Sequence, residues 1–306
     1  TFTPKNKGMK VSFALLFFPL FSFSQSIETI IQKGHELAVV AVAVSKDSNY
    51  VATASRDKSA KLWELSTGRE VRSFLGHEAT VTSIEFTADG KYLISGSNDK
   101  TIRIWDVYSG REVFNLATTD IITDVAIDPQ MKFFVTAGYG NSGYGDSATV
   151  YDFRSRKILK RLPTSADKGL GTGVDVSISP DGKWIAYFSD ASGEYEIHLR
   201  DQSGMGDVKK INLGSPTYFY EPKWSPDSKK IAFRDKRLNL WYVDIEKGTP
   251  VKIDTNTYEN PFSVMDFDWS PDSKWITYSR QLRNRLCASF AYSLDPAKTT
   301  QITDGL

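Results

Sequence analysis

The sequence is short of the residues that carry most catalytic and metal chemistry. Among 306 residues there are one cysteine, Cys287, and three histidines. A lone cysteine excludes an internal disulfide and any cysteine-rich zinc site. Net charge is lacking too, since 38 Lys and Arg stand against 37 Asp and Glu. No global field therefore favours nucleic acid or an anionic membrane surface, and a partner must be recognised locally. Metalloprotease H-E-x-x-H, phosphate-loop and G-x-S-x-G patterns do not occur. No segment sustains a helical period of apolar residues, so the chain reads as all-β without linkers. The most apolar run, "VSFALLFFPLFSF" from 11 to 23, is shorter than the roughly 20 residues that span a bilayer, and Pro19 interrupts it. Lys5, Lys7 and Lys10 precede this run, and Ser22 and Ser24 stand where a signal peptidase reads. Residues 9–24 are accordingly expected to be a signal peptide, with a mature chain from Gln25 that is periplasmic or secreted and not stably inserted in the membrane. A buried N-terminal helix is the alternative. Residues 1–8, ahead of Met9, read as upstream or non-native sequence.

What is present is repetition. "SPDGKWIAY" from 179 returns as "SPDSKKIAF" from 225 and "SPDSKWITY" from 270, with weaker copies "SKDSNYVAT" from 45, "TADGKYLIS" from 87 and "DPQMKFFVT" from 128. The starts are 42, 41, 51, 46 and 45 residues apart, the period of a four-stranded propeller blade. Each copy has one grammar: an alternating strand such as 81–86, a Pro, Asp, Gly or Ser turn, then a β-rich strand such as 92–96. The fold expected is a single β-propeller domain over 25–306 made of six four-stranded blades. The segment 29–33 aligns with an outer strand 42 residues later. It either joins or displaces the outer strand expected at 299–303, or opens a seventh blade completed beyond Leu306.

The first half, 27–160, resembles the WD-repeat family. Gly76-His77, Ser97, Asp99 and Trp105-Asp106 stand at that family's signature positions, and Gly34-His35, Ser55, Asp57 and Trp63-Glu64 repeat them 42 residues earlier. The resemblance implies a buried Trp, Ser, His, Asp relay pinning each blade: an indole only donates, hydroxyl and imidazole do both, and a carboxylate accepts. The same residue types form nucleophilic triads, but recurrence in two successive blades beside a tryptophan favours structure over catalysis. The third blade departs, with Asp120-Ile121 for Gly-His and Tyr151-Asp152 for Trp-Asp.

The second half, 174–304, resembles TolB-like repeats and the N-terminal propeller of tricorn-type proteases, through the three "SPD" copies, "YFYEPKWSPD" (218–227), "NLWYVDIEKG" (239–248) and "DFDWSPDSKWITYSRQLRNRL" (266–286). In that family the peptidase machinery lies outside the propellers, so no catalytic residue is carried over. Neither a cofactor nor a metal site is expected. His198 in "YEIHLRD" reads as an exposed strand residue, on the opposite face from Tyr195, Ile197 and Leu199. The segment 138–143 fits G-x-G-x-x-G, but a strand-like "DSATVYDF" follows where a dinucleotide site needs a helix, so it reads as a loop. Candidate partner contacts are Tyr139 and Tyr144 in that loop, Tyr218 and Tyr220 on an aromatic rim, and Arg280, Arg283 and Arg285 in the last blade, where guanidiniums can grip carboxylates. A solvated loop and ordinary inter-blade packing are the competing readings of the last two groups. The function expected is a non-catalytic scaffold for a protein or peptide. The alternative is the substrate-filtering propeller of a larger tricorn-like serine peptidase.

Overall fold

A computed structural model describes residues 34–140, 147–163, 175–190, 192–202, 206–215, 217–257 and 265–304. The expected signal peptide at 9–24, residues 1–8, the strand at 29–33, Tyr144 and the connection at 168–173 lie outside the described residues.

The described residues form six four-stranded antiparallel sheets, each a simple meander in chain order. They are numbered here as blades 1 (39–75), 2 (81–117), 3 (121–163), 4 (176–212), 5 (219–255) and 6 (267–301). The repeated motif is the turn between the first and second strands of each blade. In blade 4, the Ser179 hydroxyl donates to Asp181 Oδ1 (2.7 Å) and accepts from the Trp184 amide (2.9 Å). Gly182 supplies the left-handed backbone, φ 72°. Ser225 with Asp227 and Ser270 with Asp272 make the same bonds in blades 5 and 6. The turns also tie blades together: the Asp181 amide donates to Ser228 Oγ and the Asp227 amide to Ser273 Oγ, both at 3.0 Å.

The core is divided among the inter-blade spaces. One apolar cluster joins blades 1 and 2 through Phe74, Ile84, Leu93 and Trp105. Another joins 2 and 3 through Ile94, Ile104, Phe134 and Tyr151. Three more link 3 with 4, 4 with 5 and 5 with 6. A sheet buried on both faces cannot show the alternation of a half-exposed strand. That corrects one expectation: His198 is 4% exposed, packed edge-on against Tyr187 at 5.4 Å and bonded to Glu196 Oε2 at 3.0 Å.

Blade 1 is the exception. Val81, Ile84 and Phe86 turn toward blade 1 and are 0%, 5% and 8% exposed, whereas Val39, Val42 and Val44, which stand 42 residues earlier, are 46%, 61% and 56% exposed. Among the described residues, no apolar cluster joins blade 6 to blade 1.

Candidate binding site at the channel

The residues with triad chemistry form a relay inside each of the first two blades. In blade 2, Trp105 Nε1 donates to Ser95 Oγ (2.9 Å), which lies 2.8 Å from His77 Nε2, and His77 Nδ1 is 2.9 Å from Asp99 Oδ2. Because the carboxylate only accepts, Nδ1 carries the proton and Ser95 donates to Nε2. Burial pushes the His77 pKa below its ordinary value, so the ring is neutral at pH 7. Burial opposes ionisation of Asp99, but bonds from the Thr101 hydroxyl, the Glu78 amide and His77 outweigh it and hold the pKa at about 2. Blade 1 repeats the arrangement with Trp63, Thr53, His35 and Asp57.

The hydroxyl in the relay is therefore Ser95, or Thr53 in blade 1, and not the expected Ser97 or Ser55. The reason is reach. Trp105 stands across from Leu93 on the neighbouring strand, so Ser95 is its diagonal neighbour, whereas Ser97 lies one pleat farther along. Ser97 and Ser55 instead bind the loop that leads into their own blade, donating to Thr80 O (2.8 Å) and Ala38 O (3.1 Å). With its hydroxyl enclosed between indole and imidazole and 0% exposed, the relay pins strands together. Blade 5, in the half without the WD signature, has a counterpart that the sequence reading missed: Trp241 Nε1 and Asn239 Nδ2 both donate to the buried Asp235 Oδ2, at 3.0 and 2.8 Å.

The candidate partner residues do not converge. Tyr139 ends the second strand of blade 3, half-buried. Tyr218 and Tyr220 are half-buried under Lys236 and Arg234, each cation 5.3 Å from its ring. Arg280 lies over Phe290 (4.4 Å) and 3.4 Å from Asp254, while Arg283 and Arg285 are exposed in the following turn. The expected arginine cluster is thus split, because Arg280 belongs to the strand Trp275–Gln281.

What does converge is a set of acidic residues absent from the sequence-based candidates. The first strands of blades 1 to 5 and Asp266, just ahead of the first strand of blade 6, border a cavity of about 870 Å3. Asp124, Asp175, Glu221 and Asp266 each stand four residues before the repeated turn, where blade 2 has Ser83 and blade 1 has Ala41. Constant offset from the repeat was the signal that could have found them. Several clasp the next blade's backbone: the Val125 amide donates to Ser83 Oγ (3.1 Å), the Val176 amide to Asp124 Oδ2 (3.1 Å) and the Glu221 amide to Asp175 Oδ2 (2.7 Å). Glu85, also on the wall, accepts from the Ile127 amide at 2.8 Å. Burial raises the Glu85 pKa to about 8, and it raises Asp124 and Asp175 as well. Arg234 pairs with Glu221 at 2.9 Å, and Lys223 bonds to the Phe267 carbonyl at 2.8 Å. Among the described residues, no group of three or more His, Cys, Asp or Glu is arranged to hold a metal ion.

Six consecutive meanders around one cavity match the comparison with known families. The family model for the WD domain, G-beta repeat, matches residues 25–64 and 68–106. The chain is a β-propeller repeat protein. The propeller is 28% identical to an uncharacterized protein of Agrobacterium fabrum over 148 residues, 46% of this chain and 48% of that protein. It is 32% identical to a putative tricorn-like protease C-terminal subunit of Sulfurisphaera tokodaii over 74 residues, 24% of this chain and 8% of that one. It is also 33% identical to a tricorn protease homolog of Saccharolobus solfataricus over 57 residues, 19% of this chain and 5% of that one. The propeller thus spans about half the length of the first relative and under a tenth of the tricorn-like ones. No helix among the described residues is long and apolar enough to cross a membrane.

Proposed function

We propose that this propeller is a non-catalytic, exported scaffold that binds a protein or peptide partner, with a basic segment of the partner entering the channel. The observation that carries the reading is the channel wall, where four successive blades present an acidic side chain at one repeat position. Carboxylates in a recess of low dielectric focus field and favour lysine or arginine side chains. Export rests on the basic and apolar N-terminal segment, and WD repeats in general mediate protein interactions.

Fluorescence anisotropy with labelled basic, acidic and neutral peptides tests the binding. The expected result is saturable binding of the basic peptide, weakened by at least about fivefold in Asp175→Asn with Asp266→Asn, whose amides keep an acceptor oxygen but lose the charge. Equal binding of all three peptides, or an unchanged constant in the double variant, refutes it. Fractionation after expression in a bacterium tests export, and retention of uncleaved chain in the cytoplasm counts against it. The tricorn-like matches support a second reading, a substrate-filtering propeller within a larger serine peptidase. Peptidase sequence encoded after Leu306 would favour that reading.

A further inference from the structure

Blade 3 occupies the same repeat position as its neighbours but lacks the parts that fill them. In blade 2 the space beside the relay holds Trp105, His77 and the ion pair of Arg103 with Glu112, and in blade 1 the corresponding pair is Lys61 with Glu70 at 2.8 Å. Strand register places Tyr151 where blade 2 has Trp105, Thr149 where it has Arg103, and Ile158 where it has Glu112. The loop that brings in His77 is replaced by Thr118–Asp120, without a histidine. Each exchange removes volume or charge, and together they leave a cavity of about 430 Å3 between blades 2 and 3, within the size range of small-molecule sites.

A cation has been added at its wall. The turn between the third and fourth strands uses a left-handed residue in several blades: Gly68 (φ 66°), Gly110 (φ 74°) and Gly248 (φ 67°). In each, that residue's amide closes the turn onto the aspartate or glutamate four positions back. Blade 3 makes the same turn with Arg156 at φ 60°, its amide bonded to Asp152 O at 2.9 Å. A non-glycine residue here costs on the order of 1 kcal/mol. The guanidinium is held between aromatic rings, 4.4 Å from Phe153 and 5.3 Å from Phe114, and its buried Nη1 has no hydrogen-bond partner among the described residues. Arg161 also lines the cavity, as do Thr118, Thr136, Thr149 and Tyr151. The one carboxylate in the lining, Asp120, is already engaged by a partner of its own.

We infer that this vacated relay space is a binding site for a small hydroxylated anion of the sugar-acid or sugar-phosphate class. The anionic group would meet the guanidiniums of Arg156 and Arg161, and the hydroxyls of the ligand would meet the wall formed by the threonines. Two guanidiniums lining one cavity favour a carboxylate or phosphate, which can accept charge-assisted hydrogen bonds from both. This site is separate from the channel and does not depend on the peptide-binding reading.

Isothermal titration of the full chain with glucuronate, glucose 6-phosphate and glucose tests the inference. Saturable binding of glucuronate or glucose 6-phosphate, with a Kd of about 1 mM or tighter and glucose at least about tenfold weaker, is the expected result. The two anions distinguish a carboxylate from a phosphate ligand. Arg156→Gly, which restores the glycine of the sibling turns, is expected to abolish binding with the circular dichroism spectrum intact. Thr149→Arg with Ile158→Glu, which refills the space as in blade 2, is expected to do the same. Absence of saturable binding by both anions overturns the inference, as does preference for glucose or binding undiminished in both variants.

Discussion

Removing the Ser95 hydroxyl tests the physical account of how a blade is held. In Ser95→Ala the indole N–H of Trp105 and the Nε2 of His77 both lose their partner, and these residues are 2% and 7% exposed. A buried polar group left unpaired costs about 1–3 kcal/mol, so two should cost about 2–6 kcal/mol, with little added by loss of one small atom. The origin of the cost is testable because Trp105→Phe removes one of the two orphans in advance. In that background Ser95→Ala should cost about 1–2 kcal/mol less, a coupling that a double-mutant cycle isolates. Ser97→Ala should not couple to Trp105→Phe, because Ser97 bonds the Thr80 carbonyl and the Asp99 amide instead. Urea unfolding followed by circular dichroism, at constant m-value, supplies the free energies. Equal costs for Ser95→Ala in both backgrounds, or a cost below about 0.5 kcal/mol in the native background, would refute the relay as a satisfied buried network.

Ile84→Ala should cost about 2–4 kcal/mol at a position 5% exposed, and Val42→Ala, 42 residues earlier and 61% exposed, about 0.5 kcal/mol or less; similar costs in urea unfolding would mean the blade 1 face is covered in solution. Ser228→Ala deprives the Asp181 amide of its acceptor across the blade 4 and 5 interface and should cost about 1 kcal/mol, and no change in thermal midpoint would contradict that. Glu85 binds its proton more tightly when folded, at about 8 against an ordinary 4.5. Its contribution to stability is therefore complete below about pH 4 and fades as pH rises toward 8. Glu85→Gln should flatten the loss of thermal midpoint between pH 5 and pH 8.5, and an unaltered slope would show that the carboxyl is solvated by channel water.

Much of the architecture was legible because the information is local. A Ser or Thr, then Asp two residues on, folds back on its own amides, so Ser179, Ser225 and Ser270 mark their turns without help from distant residues. Recurrence then supplied blade number and order. The relay was legible in its residue types but misplaced by one pleat. Which hydroxyl an indole reaches depends on the register between second and third strands, and Ser95 and Ser97 are alike to any rule that reads spacing alone. His198 failed for a related reason: alternation reports a half-exposed sheet, and this sheet is covered on both faces. The channel carboxylates lay at a fixed offset from the turn. What hid them is that an aspartate in an alternating strand reads as an ordinary solvent-facing residue until the first strands converge.

The repeat, its period, the turns and the Trp, His and Asp that hold each of the first two blades can be read from the chain alone, because each depends on contacts within one blade or one turn. What lies between blades emerges on stacking: the acidic residues of the channel wall, the open face of Val39, Val42 and Val44, and the space beside Arg156. Those features arise from facing side chains some 40 to 50 residues apart, whose volumes must match across an interface. A local pattern fixes what each face presents; whether the opposite face fills it is settled only when the blades stack.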